Sequence, residues 1–478
     1  MRGSGSAGWR TRGTWGRRGP ASPRSVGAPS GAMAGPVTGV PPVELEQRVL
    51  WPWQGVDFSL AFVSFLAYVF LQTSYLLPTA QPGALAAVLA LTFGARDRWR
   101  FAPSLGWMAA FLLVTTLSYR ASQYANPSWE PLQELAKLLV ILWIATSVLR
   151  DRARLRFFLF FYLGLLAAFP VRGIIFNKYI YGADTQGRYA WNGAFANPND
   201  MAAFMLVPIG IAAALLVTER ARLVRLAAAL GLVVLPVSIL FTQSRGAMLA
   251  LGSAFAAFVV LENRHRGRTL LLVGAVAVTG AIFAPKTVWT RFGNLLQVRS
   301  TRSEDLRAAD DQGSAEQRLE IMKVALRITQ DFPITGVGWG AYNLAHANYA
   351  RRNEFAQTAR GLRDAHSTYL SLAAETGLVG ALLWLSGVFT AVLLALRGLR
   401  DIRDRSPGHA LQIKYVLLGF LAFALSGVFG SYTDVVPTYL YLAVLIGLGT
   451  VARQEARLAP GPLAASPGHA RARVARTA

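Results

Sequence analysis

Residues 364–405 read DAHSTYLSLAAETGLVGALLWLSGVFTAVLLALRGLRDIRDR, a stretch that begins polar, continues apolar and ends in arginines. Its apolar part, residues 377–396, has the length of about 20 residues that an α-helix needs to cross a membrane. Clustered arginines directly after such a helix are typical of a cytoplasmic loop. The stretch therefore predicts a spanning helix that starts at the outer face and ends at the cytoplasmic face.

The rest of the chain repeats this alternation of apolar runs and short loops. Hydrophobic residues make up 53% of the sequence and charged residues 15%, whereas a soluble protein carries about 25% charged residues. We predict an all-α, polytopic membrane protein with about twelve transmembrane helices and one long helical periplasmic loop between spans nine and ten. The predicted spans are residues 58–77, 83–94, 104–119, 132–149, 156–175, 200–218, 224–241, 246–261, 269–284, 377–396, 411–429 and 433–451.

Arginine-rich segments occupy alternate loops, which read ARDRWR, RDRARLR, ERARLVR, ENRHRGR and RGLRDIRDR. The short loops PTAQPG and GSYTD on the opposite side contain no lysine or arginine. Both termini are therefore predicted to be cytoplasmic. This distribution accounts for the formal charge of +23 without a nucleic-acid partner, and the absence of cysteine excludes disulfides and thiolate sites.

Two basic tails without apolar runs flank the predicted spans, and Met33 is an alternative start within the first of them. The tails are expected to be disordered because they cannot bury a core. The predicted organisation is a tail at 1–50, spans one to nine at 51–284, an outer catalytic loop at 285–376, spans ten to twelve at 377–451 and a tail at 452–478.

Of the five histidines, only His346 and His366 fall in the outer loop. Asp364 is a favourable N-cap, which predicts that His366 lies in the first turn of a helix. The positive end of the helix dipole disfavours protonation of the ring, and a neutral imidazole outside the membrane can act as a general base. A purely structural histidine is the alternative.

Two arginines stand out on the same predicted face. A helical projection of SAEQRLEIMKVALRITQDFP places Arg318 on the apolar side, with Leu326 among its neighbours there. Arg245 lies at the outer end of a span, where an ionisable residue suggests a functional site. The alternatives are a snorkelling side chain for Arg318 and an interfacial anchor for Arg245.

The segment FANPNDMAAF begins another predicted span at this face, with Asn199 or Asp200 expected to cap the helix after Pro198. A helix N-terminus can bind anions, although capping alone would explain the pattern. Arg172 and Arg188 lie nearby, against the positive-inside trend, and Lys178 accompanies them. No convincing metal-ligand spacing is present, and the acid pairs 304–305 and 310–311 lie in a polar stretch typical of a solvated loop.

Four segments in this order resemble the motifs of the O-antigen ligase and O-antigen polymerase superfamily. They are FANPNDMAAF (195–204), TQSRGAMLA (242–250), AEQRLEIMKVALRITQDFPITGVGWGAYN (315–343) and DAHSTYLSLAAETGLVG (364–380). The resemblance implies a bacterial inner-membrane glycosyltransferase that moves a glycan from undecaprenyl diphosphate to an acceptor hydroxyl, without metal or other cofactor. The acceptor would be lipid A-core, a growing polysaccharide or a protein.

The resemblance further implies that Arg245 and Arg318 bind the diphosphate and that His366 activates the acceptor hydroxyl. We add Arg188, Asn199 and Arg172 as predicted substrate-binding residues. The motifs do not separate ligases from polysaccharide polymerases or protein O-oligosaccharyltransferases. The remaining alternatives are a flippase for polyprenyl-linked sugars, a metal-dependent glycosyltransferase that uses outer-loop carboxylates, and a non-catalytic scaffold.

Overall fold

A computed structural model describes residues 51–95, 99–124, 129–169, 188–261 and 314–458, together with Gly267 and Gly274. The described residues form α-helices, short 3₁₀ turns and loops without any strand, which confirms the predicted all-α class for this part of the chain. The α-helices are α1 Leu60–Ser74, α2 Gln81–Gly94, α3 Pro103–Ala121, α4 Glu130–Val148, α5 Arg152–Ala168, α6 Pro198–Phe204, α7 Leu206–Thr218, α8 Arg222–Thr242, α9 Arg245–Leu261, α10 Ser314–Asp331, α11 Tyr342–Tyr349, α12 Thr368–Ile402, α13 Pro407–Ser426 and α14 Val436–Leu458.

Each predicted span coincides with a helix except the one at 269–284, which apart from Gly274 lies outside the described residues. Among the described helices, six are long and apolar enough to cross a membrane. One of the six is α6 and α7 taken together, and α1 is a shorter apolar helix. The coarse prediction of a polytopic membrane protein therefore holds. The six are Glu130–Val148, Pro198–Thr218, Arg222–Thr242, Thr368–Ile402, Pro407–Ser426 and Val436–Leu458.

Small residues set the closest helix crossings. A Cβ on Gly210 of α7 would lie 2.5 Å from the Tyr415 carbonyl oxygen of α13, and one on Gly398 of α12 would lie 2.7 Å from the Gly449 Cα of α14. Packing of this kind drives helix association in a lipid environment, where apolar surface alone gives little preference for protein over lipid. α14 lies at the centre of the bundle, with every residue from Tyr439 to Leu448 buried.

One end of the bundle, which we call the paired end, carries ion pairs between helix termini. It contains the ends of α4, α7, α12 and α14 and the starts of α1, α5 and α13. Most of its arginines come from the basic loops predicted to be cytoplasmic. The pairs include Arg154–Asp57 at 2.6 Å, Arg156–Glu219 at 2.6 Å and Arg453–Asp401 at 3.3 Å. At the same end, His409 Nδ1 lies 2.9 Å from a Glu455 carboxylate oxygen.

The opposite end, which we call the site end, carries the segment 314–367 with α10 and α11. This segment has a small apolar core of its own, in which Val324, Ala325 and Ile328 of α10 pack against α11. Arg318 lies on this packed side of α10, as the helical projection predicted. Leu326 does not, because its side chain is 51% exposed.

Candidate active site

His366 lies at the site end, two residues before α12, with a backbone φ of +49°. Non-glycine residues rarely adopt this left-handed conformation, because Cβ crowds the neighbouring carbonyl. The prediction that Asp364 caps a helix with His366 in its first turn is wrong, since α12 begins at Thr368 after Ser367 as N-cap. His366 instead occupies a strained position ahead of the helix, and such positions cluster at active sites.

The turn between α13 and α14, residues 427–435, holds the start of α12 in place. The Thr368 amide donates to the carbonyls of Gly427 and Gly430, each at 2.8 Å. The Thr368 hydroxyl donates to the Gly430 carbonyl at 2.6 Å and accepts from the Tyr432 amide at 3.0 Å. These bonds fix the backbone two residues after His366 and explain why the strained position persists.

Charged groups surround the His366 ring, whose side chain is 33% exposed. An Asp364 carboxylate oxygen lies 3.8 Å from Nδ1, beyond hydrogen-bond range. The other Asp364 oxygen accepts from the Ser431 hydroxyl at 3.1 Å. Burial lowers the pKa of His366, Asp364 raises it, and Arg318 and Arg363 lower it further. The net direction is downward, so the ring is neutral at pH 7 and able to accept a proton.

Arg318 reaches this region from α10. It interacts electrostatically with His366, with Tyr432 in the α13–α14 turn and with Asp200 on α6. The helix segment around it packs through Ile321, which is buried. Arg318 thus lies where three separate elements of the site end meet.

Arg188 and Asn199 are joined directly, which the sequence did not indicate. The Arg188 guanidinium donates to the Asn199 side-chain oxygen at 2.6 Å and to the Thr242 carbonyl at 2.8 Å. The prediction that Asn199 or Asp200 caps α6 is wrong: the cap is Asn197, whose side chain accepts from the Asn199 amide at 2.8 Å. Asn199 therefore orients Arg188 instead of closing the helix.

Asp200 is a further residue of the site, for which the sequence pattern indicated only a helix cap. Its carboxyl group interacts electrostatically with Asp364 and Asp434, and with the opposite charges of Arg188 and Arg318. Its position in the first turn of α6, at the end of a spanning segment, was a detectable signal, because intramembrane acids are uncommon without a function.

Arg245 is the first residue of α9 and is half-buried. A Cβ on the next residue, Gly246, would lie 2.7 Å from the Phe429 Cβ in the α13–α14 turn. Glycine thus permits the start of α9 to approach the same turn that binds Thr368. The start of α9, which begins at Arg245, thus lies beside the turn to which Arg318 and His366 are also close. Arg172 and Lys178 lie outside the described residues.

Close backbone contacts, which the sequence did not predict, hold the segment before α11 against α12. Gly377 interrupts α12 with φ +67°, and a Cβ there would lie 2.2 Å from the Ile334 carbonyl oxygen. The Glu375 carboxylate is buried and accepts from the Tyr342 amide at 3.2 Å, at the start of α11. The glycines of residues 334–340 (ITGVGWG), together with Glu375 and Gly377, thus position α10 and α11 over the bundle.

His346 is fully buried in α11, although the sequence placed it with His366 at the outer face. Its Nδ1 lies 3.2 Å from the Gly361 carbonyl oxygen, and Nε2 has no hydrogen-bond partner among the described residues. Burial lowers the pKa of His346, the Gly361 carbonyl raises it, and Arg363 and His366 lower it. His346 supports the segment leading to His366 and is closed to a substrate.

An apolar groove of about 490 Å³ runs between α12 and α13. It reaches Ala424, whose carbonyl accepts from the Tyr369 hydroxyl at 2.7 Å, three residues after His366. Within the described part of the chain, no group of three His, Cys, Asp or Glu side chains is arranged to hold a metal ion. The groove lining includes Leu382, Phe389, Leu417, Phe420 and Leu421.

Comparison with known proteins gives one family. Residues 230–385 match the family model described as O-antigen ligase. The matched range includes Arg245, Arg318 and His366 and excludes Arg188 and Asn199. A search of curated proteins finds no match to the chain.

Proposed function

Because residues 230–385 carry an O-antigen ligase domain and the chain is thereby a member of the O-antigen ligase and polymerase superfamily, we propose that it is a membrane glycosyltransferase. It transfers a glycan from undecaprenyl diphosphate to an acceptor hydroxyl at the outer face of the inner membrane. The site end faces outward and the paired end faces the cytoplasm, in accord with the basic loops at the paired end.

His366 is the general base of this reaction. Its Nδ1 faces Asp364, which leaves Nε2 to take the proton from the acceptor hydroxyl. The acceptor oxygen then bonds to the anomeric carbon as the bond from that carbon to the diphosphate oxygen breaks, with inversion of configuration. The lowered pKa of His366 keeps the ring in the neutral form that the step requires.

Arg318 and Arg245 stabilise the negative charge that develops on the departing undecaprenyl diphosphate. Arg188, oriented by Asn199 and close to Asp200, is a further phosphate contact. Arg172 remains a proposed contact from the sequence. The polyprenyl chain lies in the apolar groove between α12 and α13, whose end near Tyr369 adjoins the reacting groups.

The observation that supports the proposal is a partly exposed imidazole, His366, within electrostatic range of Arg318 at one end of a bundle of membrane-spanning helices. A flippase would also use membrane arginines, but it has no use for a base at this position. The acceptor decides between ligase, polymerase and protein O-oligosaccharyltransferase activity, which share this chemistry.

The deciding experiment is transfer by the purified full chain in nanodiscs, with an undecaprenyl-diphosphate-linked glycan and each class of acceptor in turn. We expect a glycosylated product and free undecaprenyl diphosphate, with a rate that changes less than about twofold in EDTA because no metal supplies the nucleophile. Loss of transfer in EDTA, with recovery on adding a divalent ion, would establish the metal-dependent alternative. Movement of the donor across vesicles without any product would establish the flippase.

A further inference from the structure

The segment 314–367 contains more cations than its carboxylates neutralise. It has seven lysines and arginines and five acidic residues. Arg351, Arg360 and Arg363 are exposed and make no side-chain hydrogen bond or ion pair within the described residues. Ion pairs join Lys323 to Glu320, Arg327 to Asp331, and Arg352 to Asp331 and Glu354.

Arg360 and Arg363 flank a turn that the fold holds in place. Gly361 has φ +103°, and its carbonyl lies 3.2 Å from Nδ1 of the buried His346. The residue after Arg363 is Asp364, which accepts from Ser431. The two arginines therefore project from a backbone anchored on both sides and lose less entropy on binding than side chains of a free loop would.

This turn adjoins His366, the proposed base. Arg363 is close enough to lower the pKa of both His366 and His346. The donor diphosphate, in the proposed function, is held by Arg318 from α10 and Arg188 from the α6 region. Arg363 is thus a separate cation beside the proposed base, and Arg360 precedes it by three residues in the same turn.

The exposed arginines of this turn suit an anionic ligand. Guanidinium groups bind phosphate and carboxylate through paired N–H donors. Leu362 between the two arginines is 69% exposed, which gives the turn an apolar contact as well. A negatively charged amphiphile provides both an anion for the arginines and an apolar group for Leu362.

We propose that Arg360 and Arg363 form an acceptor-binding site for an anionic group, a phosphate or carboxylate, carried by an amphiphilic glycan acceptor. This inference rests on the proposed function and narrows it, because it selects an acidic glycolipid over a neutral protein hydroxyl as the acceptor.

Binding of two probe glycolipids without donor tests the site independently of transfer. The full chain in phosphatidylcholine nanodiscs is titrated with decyl glucoside 6-phosphate and with neutral decyl glucoside. We expect the phosphorylated probe to bind about tenfold more tightly, the effect of one charge-assisted contact. The double variant Arg360→Ala/Arg363→Ala should bind both probes equally.

The matched control is Arg222→Ala/Arg225→Ala, which removes two exposed arginines of the same spacing from the opposite end of the bundle. It should retain the preference for the phosphorylated probe. Equal binding of both probes by the unaltered protein, or a preference that survives the Arg360/Arg363 substitution, would overturn the site. Loss of the preference in phosphatidylglycerol nanodiscs at equal ionic strength would assign the turn to bulk anionic lipid and overturn it too. Failure of transfer with the preference intact would instead refute the proposed reaction and leave the anion site standing.

Discussion

The two ends of the bundle use arginine in different ways. At the paired end, the Arg156 guanidinium donates to both carboxylate oxygens of Glu219, at 2.7 and 2.6 Å, and both side chains are almost buried. At the site end, Arg188 donates instead to two neutral oxygens, those of Asn199 and Thr242. The first arrangement neutralises the cation within the fold, whereas the two bonds to neutral oxygens orient Arg188, which also interacts electrostatically with Asp200.

Histidines show the same contrast. His409 is buried at the paired end with Nδ1 at 2.9 Å from the Glu455 carboxylate. His366 is partly exposed, beyond hydrogen-bond distance of its nearest carboxylate, and in a left-handed backbone conformation. A side chain that serves stability has its hydrogen-bonding groups satisfied internally, while one that serves chemistry keeps an atom accessible.

The contrast between the paired end and the site end requires that the two ends face opposite sides of the membrane. Reporter fusions after Glu354 at the site end and after Asp404 at the paired end should give all-or-none opposite signals, because basic loops are retained in the cytoplasm. A periplasm-active and a cytoplasm-active reporter at each position provide the check. The same compartment for both positions would refute the topology and the outer active site with it.

The next largest effect is expected at the two histidines. His366→Asn should lower transfer by about 10²–10⁴-fold, the contribution of a general base, while asparagine tolerates the left-handed backbone. His409→Asn should leave the transfer rate per folded molecule unchanged and lower the melting temperature. Rates and melting curves of the purified variants in detergent are compared. Wild-type transfer by His366→Asn would end the assignment of the base.

A substitution at Arg318 tests whether the paired N–H donors of its guanidinium group are needed in addition to its positive charge. Arg318→Lys should lower transfer by about 10–100-fold, because an ammonium cannot replace paired donors on a diphosphate. The control is Arg327→Lys on the exposed face of the same helix, where only a surface pair with Asp331 is affected. Transfer at saturating donor is measured for both. Equal rates for the two variants would remove Arg318 from the site.

At the paired end, the expected effect is on stability. Arg156→Ala leaves Glu219 buried without its counter-charge, and breaking such a pair costs about 3–5 kcal/mol. The double variant Arg156→Ala/Glu219→Ala should recover part of that loss. Melting temperatures of both proteins in one detergent give the answer. A single variant as stable as the wild type would show that this pair is not a structural element.

The smallest effect is expected in the pH profile. Transfer should fall as the pH drops through the pKa of His366, which lies below its usual 6.5. Asp364 raises that pKa, whereas Arg318, Arg363 and burial lower it. Asp364→Asn should therefore move the acid limb to lower pH, and Arg363→Gln should move it to higher pH. Limbs that move the other way, or not at all, would show that a different group titrates.

Hydropathy and charge placement determined much of the fold before any coordinates. The apolar runs predicted the helices because a membrane admits only backbone that satisfies its own hydrogen bonds, which makes local sequence sufficient. The order of the motifs predicted the family, and the predicted compartments of the loops singled out Arg245, Arg318 and His366. The match of residues 230–385 to the O-antigen ligase family model confirms the family. The roles of the three residues remain predictions.

Tertiary structure decided the details that make a site. The left-handed His366, the cap by Asn197 in place of Asn199, the pairing of Arg188 with Asn199 and the buried Glu375 all depend on contacts between elements far apart in sequence. A local pattern records which residues can cap a helix or face a membrane. It does not record which carbonyl or carboxylate the folded chain brings within 3 Å of a given side chain. For a buried or oriented charged group, the partner that the fold supplies determines whether the group stabilises the fold or remains available to a substrate.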